Sequence, residues 1–318
     1  MIYNTVVLKV LTFIVLFLGF SFSIMSFASL LKPFYWLFDV LTHFSLQYAL
    51  ALALCVLLGL VIGIRPYLLG LFAVALVMNL YFLFPFFWPR SREEANSNVL
   101  RVVSLNVLTS NQNYEKITTY LRASNADIVL LSEIEPELMT VIKTSLADLY
   151  PHVYNEAMEG THGLAFISRL PFVKTETIIL DERHHRFLTA ELEWQGKRFK
   201  IYGSHPHAPL AGRWARSRNE EIEVIREHIK QETKPHILLG DFNASPWSTP
   251  MAQLFAQTNL RHGALGFGIY PTWRYRTMLL GAPIDHILVS EDWQVSAYKV
   301  QRDVGSDHFP VFAELQLP

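Results

Sequence analysis

The chain has 318 residues, with 27 Lys plus Arg against 28 Asp plus Glu and a formal net charge of −1. Its one cysteine, Cys55, excludes a disulfide framework within the chain. The near-neutral balance disfavours a protein that grips nucleic acid mainly by its phosphates, because that needs a basic face.

The charges are unevenly placed. Before Arg90 only Lys9, Lys32, Arg65 and Asp39 are charged, which leaves 24 basic and 27 acidic residues downstream. Three uncharged stretches fill this first part: Val10 to Leu31, Val40 to Ile64 and Pro66 to Pro89. A helix needs about 20 apolar residues to cross a hydrocarbon core roughly 30 Å thick. Each stretch therefore predicts a transmembrane helix, at about residues 10–31, 46–64 and 66–88. His43, Ser45 and Gln47 interrupt the second stretch and set its expected start near Leu46. A cleaved signal peptide ending near Ser26-Phe27-Ala28 fits the first stretch less well, since a signal core runs about 7–15 residues.

Residues 90–98 are polar and read as a linker, leaving 99–318 as the soluble domain. Val99 to Val107 is β-branched and apolar, a strand that delivers Asn106 to its tip. Tyr114 to Arg122 has helical spacing, and the apolar run from Asp127 to Ser132 ends at Glu133. Further strand-like runs lie at 163–168, 187–194, 199–204, 236–240, 284–289 and 311–315. Ile222, Ile225 and Ile229 define the buried face of a helix over 217–230. Strands alternating with helices, with polar residues at the strand ends, predict a layered α/β domain.

A rigid sheet can hold several polar groups around one site. Asn106, Glu133, His205, Asp241, Asn243, Asp285, Asp307 and His308 all fit that pattern. Glu133 is the first choice as direct ligand to Mg²⁺, or Mn²⁺ in its place, with further oxygens from Asn106 and Asp307, directly or through water. Zinc fits worse, because no thiolate lies outside the membrane part and the histidines lack a paired spacing; a His-rich zinc site stays open. His308 can carry a proton near neutral pH, with Asp285 to orient it. Asp241 and Asn243, two apart, project from one side of an extended segment, where one positions a water and the other donates to a phosphate oxygen. His205 serves the same oxyanion or the leaving group. His184, His185, His207 and His286 have weaker claims and read as surface or supporting residues. Arg213, Arg216 and Arg218, around Trp214, read equally well as a cationic rim for a diphosphate and as a solvated helix start. Phe267, Tyr270 and Trp273 read as core packing ahead of lipid contact.

In order, Ser104-Leu105-Asn106-Val107, Leu131-Ser132-Glu133, Ser204-His205, Gly240-Asp241-Phe242-Asn243, Ile284-Asp285-His286 and Ser306-Asp307-His308 resemble the endonuclease/exonuclease/phosphatase superfamily. The resemblance implies a DNase I-like four-layer α/β sandwich, here behind an N-terminal bundle of three transmembrane helices, and Mg²⁺-assisted attack of water on phosphorus. It implies a metal group of Asn106, Glu133 and Asp307, and a catalytic and phosphate-binding group of His205, Asp241, Asn243, Asp285 and His308. Leu108 stands where some nucleases of the family carry an acid, which weakens a repair-nuclease assignment. The layout looks similar to membrane-anchored bacterial members implicated in glycopeptide resistance, which act on polyprenyl phosphate carriers. The expected partner is therefore the lipid bilayer, and the expected substrate a phosphorylated lipid such as a polyprenyl diphosphate. A tethered nuclease and a non-catalytic scaffold are the alternatives. Basic residues on the two sides of the spans nearly balance, so the expectation of an extracytoplasmic domain in a bacterial membrane follows from the layout more than from charge.

Overall fold

In the computed structural model, residues 2–89, 98–181 and 185–317 are described. Of the expected linker only Asn98 lies among them, and His184 falls outside them.

The N-terminal part is a helical bundle: α1 (Ile2–Ser29), α2 (Trp36–Leu41), a 3₁₀ turn (Thr42–Phe44), α3 (Ser45–Ile62) and α4 (Pro66–Phe87). Three segments, Thr5–Ser29, Trp36–Ile62 and Pro66–Phe87, are long and apolar enough to cross a membrane. Gly63, at φ +77°, ends α3 in the left-handed conformation, and Pro66 opens α4 where its missing N–H costs nothing. The second segment runs upstream of Leu46 through α2, and its polar interruption forms the turn at Thr42–Phe44.

The remainder comprises β1 (Leu100–Asn106), α5 (Tyr114–Ser124), β2 (Ile128–Ser132), α6 (Pro136–Ser145), β3 (His152–Glu156), β4 (Leu164–Ser168), β5 (Lys174–Ile179), β6 (Arg186–Trp194), β7 (Lys197–Ser204), α7 (Gly212–Ile229), β8 (His236–Asp241), α8 (Thr249–Gln257), β9 (Leu260–His262), β10 (Trp273–Tyr275), β11 (Thr277–Ala282), β12 (Asp285–Ser290), β13 (Gln294–Val300) and β14 (Val311–Gln316). Two six-stranded sheets form, ordered β13-β14-β1-β2-β4-β3 and β5-β6-β7-β8-β12-β9. They face one another across a core that includes Leu100, Val102, Leu130, Phe166, Ile201, Leu239 and Ile287. The outer face of the first sheet packs on α5 and α6 through Val103, Leu105, Ile117 and Ile142. The outer face of the second packs on α7 and α8 through Leu238, Ile222, Ile225 and Leu254. Burial on both faces explains why the central strands read as unbroken apolar runs. This is the four-layer sandwich with helices outside.

The strand pleat determines where the polar tips point. Residues of one parity face the opposite sheet, so Leu100 and Val102 are followed on that face by Asn106, and Ile237 and Leu239 by Asp241. Ile201 leads likewise to His205, and Val289 and Ile287 lead back to Asp285. The site is thus the polar end of the inter-sheet core. Asp285 pairs in register with Asp241, and Gly240 with Ser204. A Cβ on Gly240, whose φ is +152°, would sit 1.9 Å from the Ser204 carbonyl oxygen, so no larger residue fits before Asp241.

The bundle is docked on the sandwich rather than tethered beside it. Arg218 Nη2 donates to Asp39 Oδ2 (2.7 Å), and the Thr249 amide to Asp39 Oδ1 (2.7 Å). Thr42 and Ser245 hydroxyls meet at 3.0 Å, and Gln47 Nε2 donates to Gly281 O (2.6 Å). Ala49, Leu83 and Phe86 share a buried cluster with Trp247, Ala264 and Ile269.

Candidate active site

Glu133, His205, Asp241, Asn243, Asp307 and His308 line one cavity of about 610 Å³ at that end of the sandwich. Asp285 and Asn106 stand immediately behind them. His308 Nδ1 lies 2.9 Å from Asp285 Oδ2, and its Nε2 3.5 Å from Asp241 Oδ2. His205 Nε2 lies 3.3 Å from the same Asp241 oxygen, and its Nδ1 3.1 Å from Thr161 O. Asp241 Oδ1 accepts the Asn243 amide at 2.9 Å. Ser306 Oγ donates to Asn106 O and accepts the His308 amide, tying the last motif to the first.

Asn106 Nδ2 donates to Glu133 Oε1 (2.9 Å) and Asp241 Oδ2 (3.1 Å), while its Oδ1 accepts the Leu108 amide. As it stands, Asn106 positions two carboxylates and has its own oxygen engaged, so it would have to turn to serve as a ligand. Glu133 Oε2 accepts the Thr109 amide (3.1 Å). Asp307 accepts Trp273 Nε1–H on Oδ2 (3.0 Å), while Oδ1 is buried with no hydrogen-bond partner among the described residues. A carboxylate oxygen with no hydrogen bond, 4.0 Å from His308 Nε2 and on the same cavity as Glu133, fits a hard, oxygen-seeking divalent cation.

Leu108, Glu133 and Asn243 have positive φ (61°, 57° and 49°), a conformation unfavourable for residues other than glycine. Glu133 and Asn243 line the cavity and the Leu108 amide is held by Asn106 behind it; Asn tolerates this conformation, while Leu108 and Glu133 are kept in it by their surroundings.

Burial alone would lower the pKa of His308, but Asp285 and Asp241 overcome it and push it up to about 10. His205, opposed likewise by burial, is raised to about 9 by Asp241 and Glu133. Asp241 is held below the usual carboxylate range because His308 and His205 outweigh its burial. At neutral pH both imidazoles are cationic around an ionised Asp241. The stability the histidines draw from these carboxylates is full below pH 6.5, and is lost as pH rises through about 9 and then about 10. The melting temperature should fall between pH 8 and 10.5, and the fall should be shallower in His308→Asn. An equal fall in both proteins would remove His308 as its source.

Several residues stand elsewhere than expected. Of the surface and supporting places open to His185 and His207, both take the supporting one: they line the cavity, His185 buried and His207 nearly so. His286 is fully buried behind Phe242, between His262 and the Ala244 carbonyl. Arg218 is neither rim nor solvated; it is buried in its ion pair with Asp39, and its Nη1 donates to Asn243 O (2.9 Å). Arg213 and Arg216 are exposed on the first turns of α7, outside the cavity lining, with Arg213 over the Trp214 ring. Trp214 does line the cavity, and so does Trp273, which is half-buried and belongs to the site through Asp307 rather than to the core. Phe267 is half-buried and Tyr270 exposed.

Sequence reasoning missed the contribution of the bundle. Val40, His43 and Phe44, at the break before α3, form part of the cavity wall, and His43 Nε2 is buried with no hydrogen-bond partner among the described residues. The only signal was a polar interruption in an apolar stretch.

The family model described as Endonuclease/Exonuclease/phosphatase family matches residues 103–308. No curated protein matches the chain. Among solved structures, D. rerio TDP2 complexed with single strand DNA product is similar with a TM-score of 0.60 at 18% identity, covering 70% of this chain and 100% of that one. The human Nocturnin catalytic domain with bound sulfate anion gives 0.55 at 19%, covering 69% and 95%. Sphingomyelinase C from Streptomyces griseocarneus gives 0.53 at 19%, covering 69% and 99%. At these identities the likeness is one of fold.

Proposed function

The chain belongs to the endonuclease/exonuclease/phosphatase family and is a hydrolase of phosphoester bonds, and from that premise we propose that its substrate is a membrane lipid phosphate or pyrophosphate, such as a polyprenyl diphosphate. The observation that carries this reading is the composition of the cavity. Its wall joins the catalytic residues to Val40, His43 and Phe44 of a segment long and apolar enough to cross a membrane. Its remaining lining includes Ala208, Pro209, Leu210, Trp214 and Ile284, and none of the described lining residues is Lys or Arg. Single-stranded nucleic acid calls for a basic groove along the backbone, whereas an acyl or prenyl chain calls for apolar walls.

In this reading the phosphoryl group lies between His205 and His308. Both imidazoliums donate to its oxygens, and ionised Asp241 accepts from the attacking water and aligns it. Asp285 fixes His308 through Nδ1, leaving Nε2 for the substrate. The oxygens of Glu133 and Asp307 would hold a divalent cation, with Asn106 as a supporting oxygen if it turns. Mg²⁺, or Mn²⁺ in its place, would supply charge neutralisation at the phosphoryl group. We place the protein in a bacterial cell membrane with the catalytic domain outside the cytoplasm, which protease accessibility in intact spheroplasts tests.

The full chain in detergent, offered polyprenyl diphosphate, phospholipid and single-stranded DNA in parallel, is expected to release phosphate from a lipid and to leave DNA intact. EDTA should abolish turnover and Mg²⁺ restore it. DNA cleavage without lipid turnover would favour the tethered nuclease. No turnover of any substrate in the presence of Mg²⁺ and Mn²⁺ would favour a scaffold.

A further inference from the structure

Beside the catalytic group, on the same cavity, lies a second cluster that the chemistry above does not use. Asp181 Oδ2 is 3.0 Å from His185 Nδ1 and 4.0 Å from His207 Nδ1. Glu221 Oε1 is 2.6 Å from His207 Nδ1 and 3.8 Å from His185 Nδ1. One ligand atom from each residue falls within 4.8 Å of all the others.

Two independent imidazole–carboxylate pairs would need only the two short distances. Here the cross distances also converge, and the two imidazole rings lie 3.7 Å apart, centre to centre. Metal–ligand bonds of about 2.0–2.2 Å arranged as a tetrahedron put ligand atoms roughly 3.3–3.5 Å from one another, in the middle of the observed spread. Glu221 is buried and Asp181 mostly so, and two carboxylates this close in a poorly solvated place are relieved either by a retained proton or by a cation between them. Outer hydrogen bonds already fix Glu221: the Ser217 hydroxyl donates to Oε1 (3.1 Å) and the His207 amide to Oε2 (3.2 Å). Metal-binding side chains are commonly held by such partners.

We propose that Asp181, His185, His207 and Glu221 form a second divalent metal site, selective for zinc over magnesium, on the wall of the catalytic cavity. Two imidazole nitrogens and two carboxylate oxygens suit tetrahedral Zn²⁺, whereas Mg²⁺ demands oxygen ligands and retains its waters. The ligands are separate from Glu133, Asn106 and Asp307. His207 lies two residues after His205, so the metal would brace the segment that carries a catalytic imidazole. The inference does not depend on which phosphoester is cleaved.

The test uses the full chain in detergent, stripped with chelator, reloaded with Zn²⁺ alone and analysed for metal after gel filtration. Wild type and Glu133→Gln are both expected to retain one Zn²⁺ per chain. Glu221→Gln, which keeps an acceptor for Ser217, and His185→Ala should bind Zn²⁺ more weakly by more than the roughly 10- to 100-fold that losing an outer partner costs. Because a variant could fail by misfolding, the wild-type protein is also titrated with Co²⁺, which should give the strong visible absorption of a tetrahedral site and lose it on adding Zn²⁺. Absence of tight Zn²⁺ in wild type, a weak octahedral Co²⁺ spectrum, or unchanged affinity in both variants would overturn the proposal. Loss of zinc from Glu133→Gln would move the metal to the catalytic group.

Discussion

Replacing His308 with alanine is expected to lower kcat for phosphoester hydrolysis by roughly 10²–10³-fold, the usual effect of removing one preorganised donor to a developing oxyanion. The expectation rests on three features. Its Nδ1 is held by Asp285, and its Nε2 looks toward the Asp241 carboxylate that would align the water. The imidazole carries its proton throughout the neutral range. The missing interaction strengthens as charge moves onto the phosphoryl oxygens, so kcat should fall much more than KM changes. Asp285→Asn should lose less, because the imidazole remains, but its orientation and cationic form lose support. Steady-state kinetics on the proposed lipid substrate, with Mg²⁺ at saturation, measure both. An unchanged kcat in His308→Ala would remove the histidine from the reaction.

The second large effect is expected at the seam between bundle and sandwich. Arg218→Ala leaves the Asp39 carboxylate buried without its partner, and breaking a buried pair from one side costs roughly 3–5 kcal/mol. Both groups are buried, so solvent screening gives little relief. Arg218 also holds the Asn243 carbonyl, so the change reaches Asn243 and, through the Asn243 amide, Asp241 on the cavity. The variant should therefore unfold at lower denaturant concentration and turn over more slowly at conditions where it is still folded. Combining Arg218→Met with Asp39→Asn removes both charges, and should recover part of the stability that Arg218→Ala loses. If the single and double variants are equally stable, the ion pair is not what holds the seam.

What the sequence made legible, and what it hid, divides along the same seam. Asn106, His205, Asp241 and Asp285 could be picked out because strand pleating turns an alternating core pattern into polar tips on one face, and that pattern is local. Trp273 sits on a short strand in a loop-rich stretch, where its hydrogen bond to Asp307 has no sequence periodicity to announce it. Arg218 occupies a helix start that reads as solvated, and its partner lies 179 residues away in an apolar stretch. Asp181, His185, His207 and Glu221 come from two loops and a helix, without the close repeated spacing that makes a metal site visible in one dimension. The half-buried edge strand β13 was likewise missed, because its alternation is weak when neither face is fully covered.

The break between α2 and α3 has a kinetic consequence. Because Asp39, Thr42 and Gln47 bind this segment to the sandwich, the cavity cannot swing out on a leash into bulk water. If the substrate is the lipid proposed above, an enzyme so fixed would meet it by lateral encounter in two dimensions, and the relevant concentration would be a mole fraction in the lipid surface. Diluting the substrate with inert lipid at constant total substrate should then slow turnover, whereas diluting the whole suspension with buffer should leave the rate per enzyme nearly unchanged.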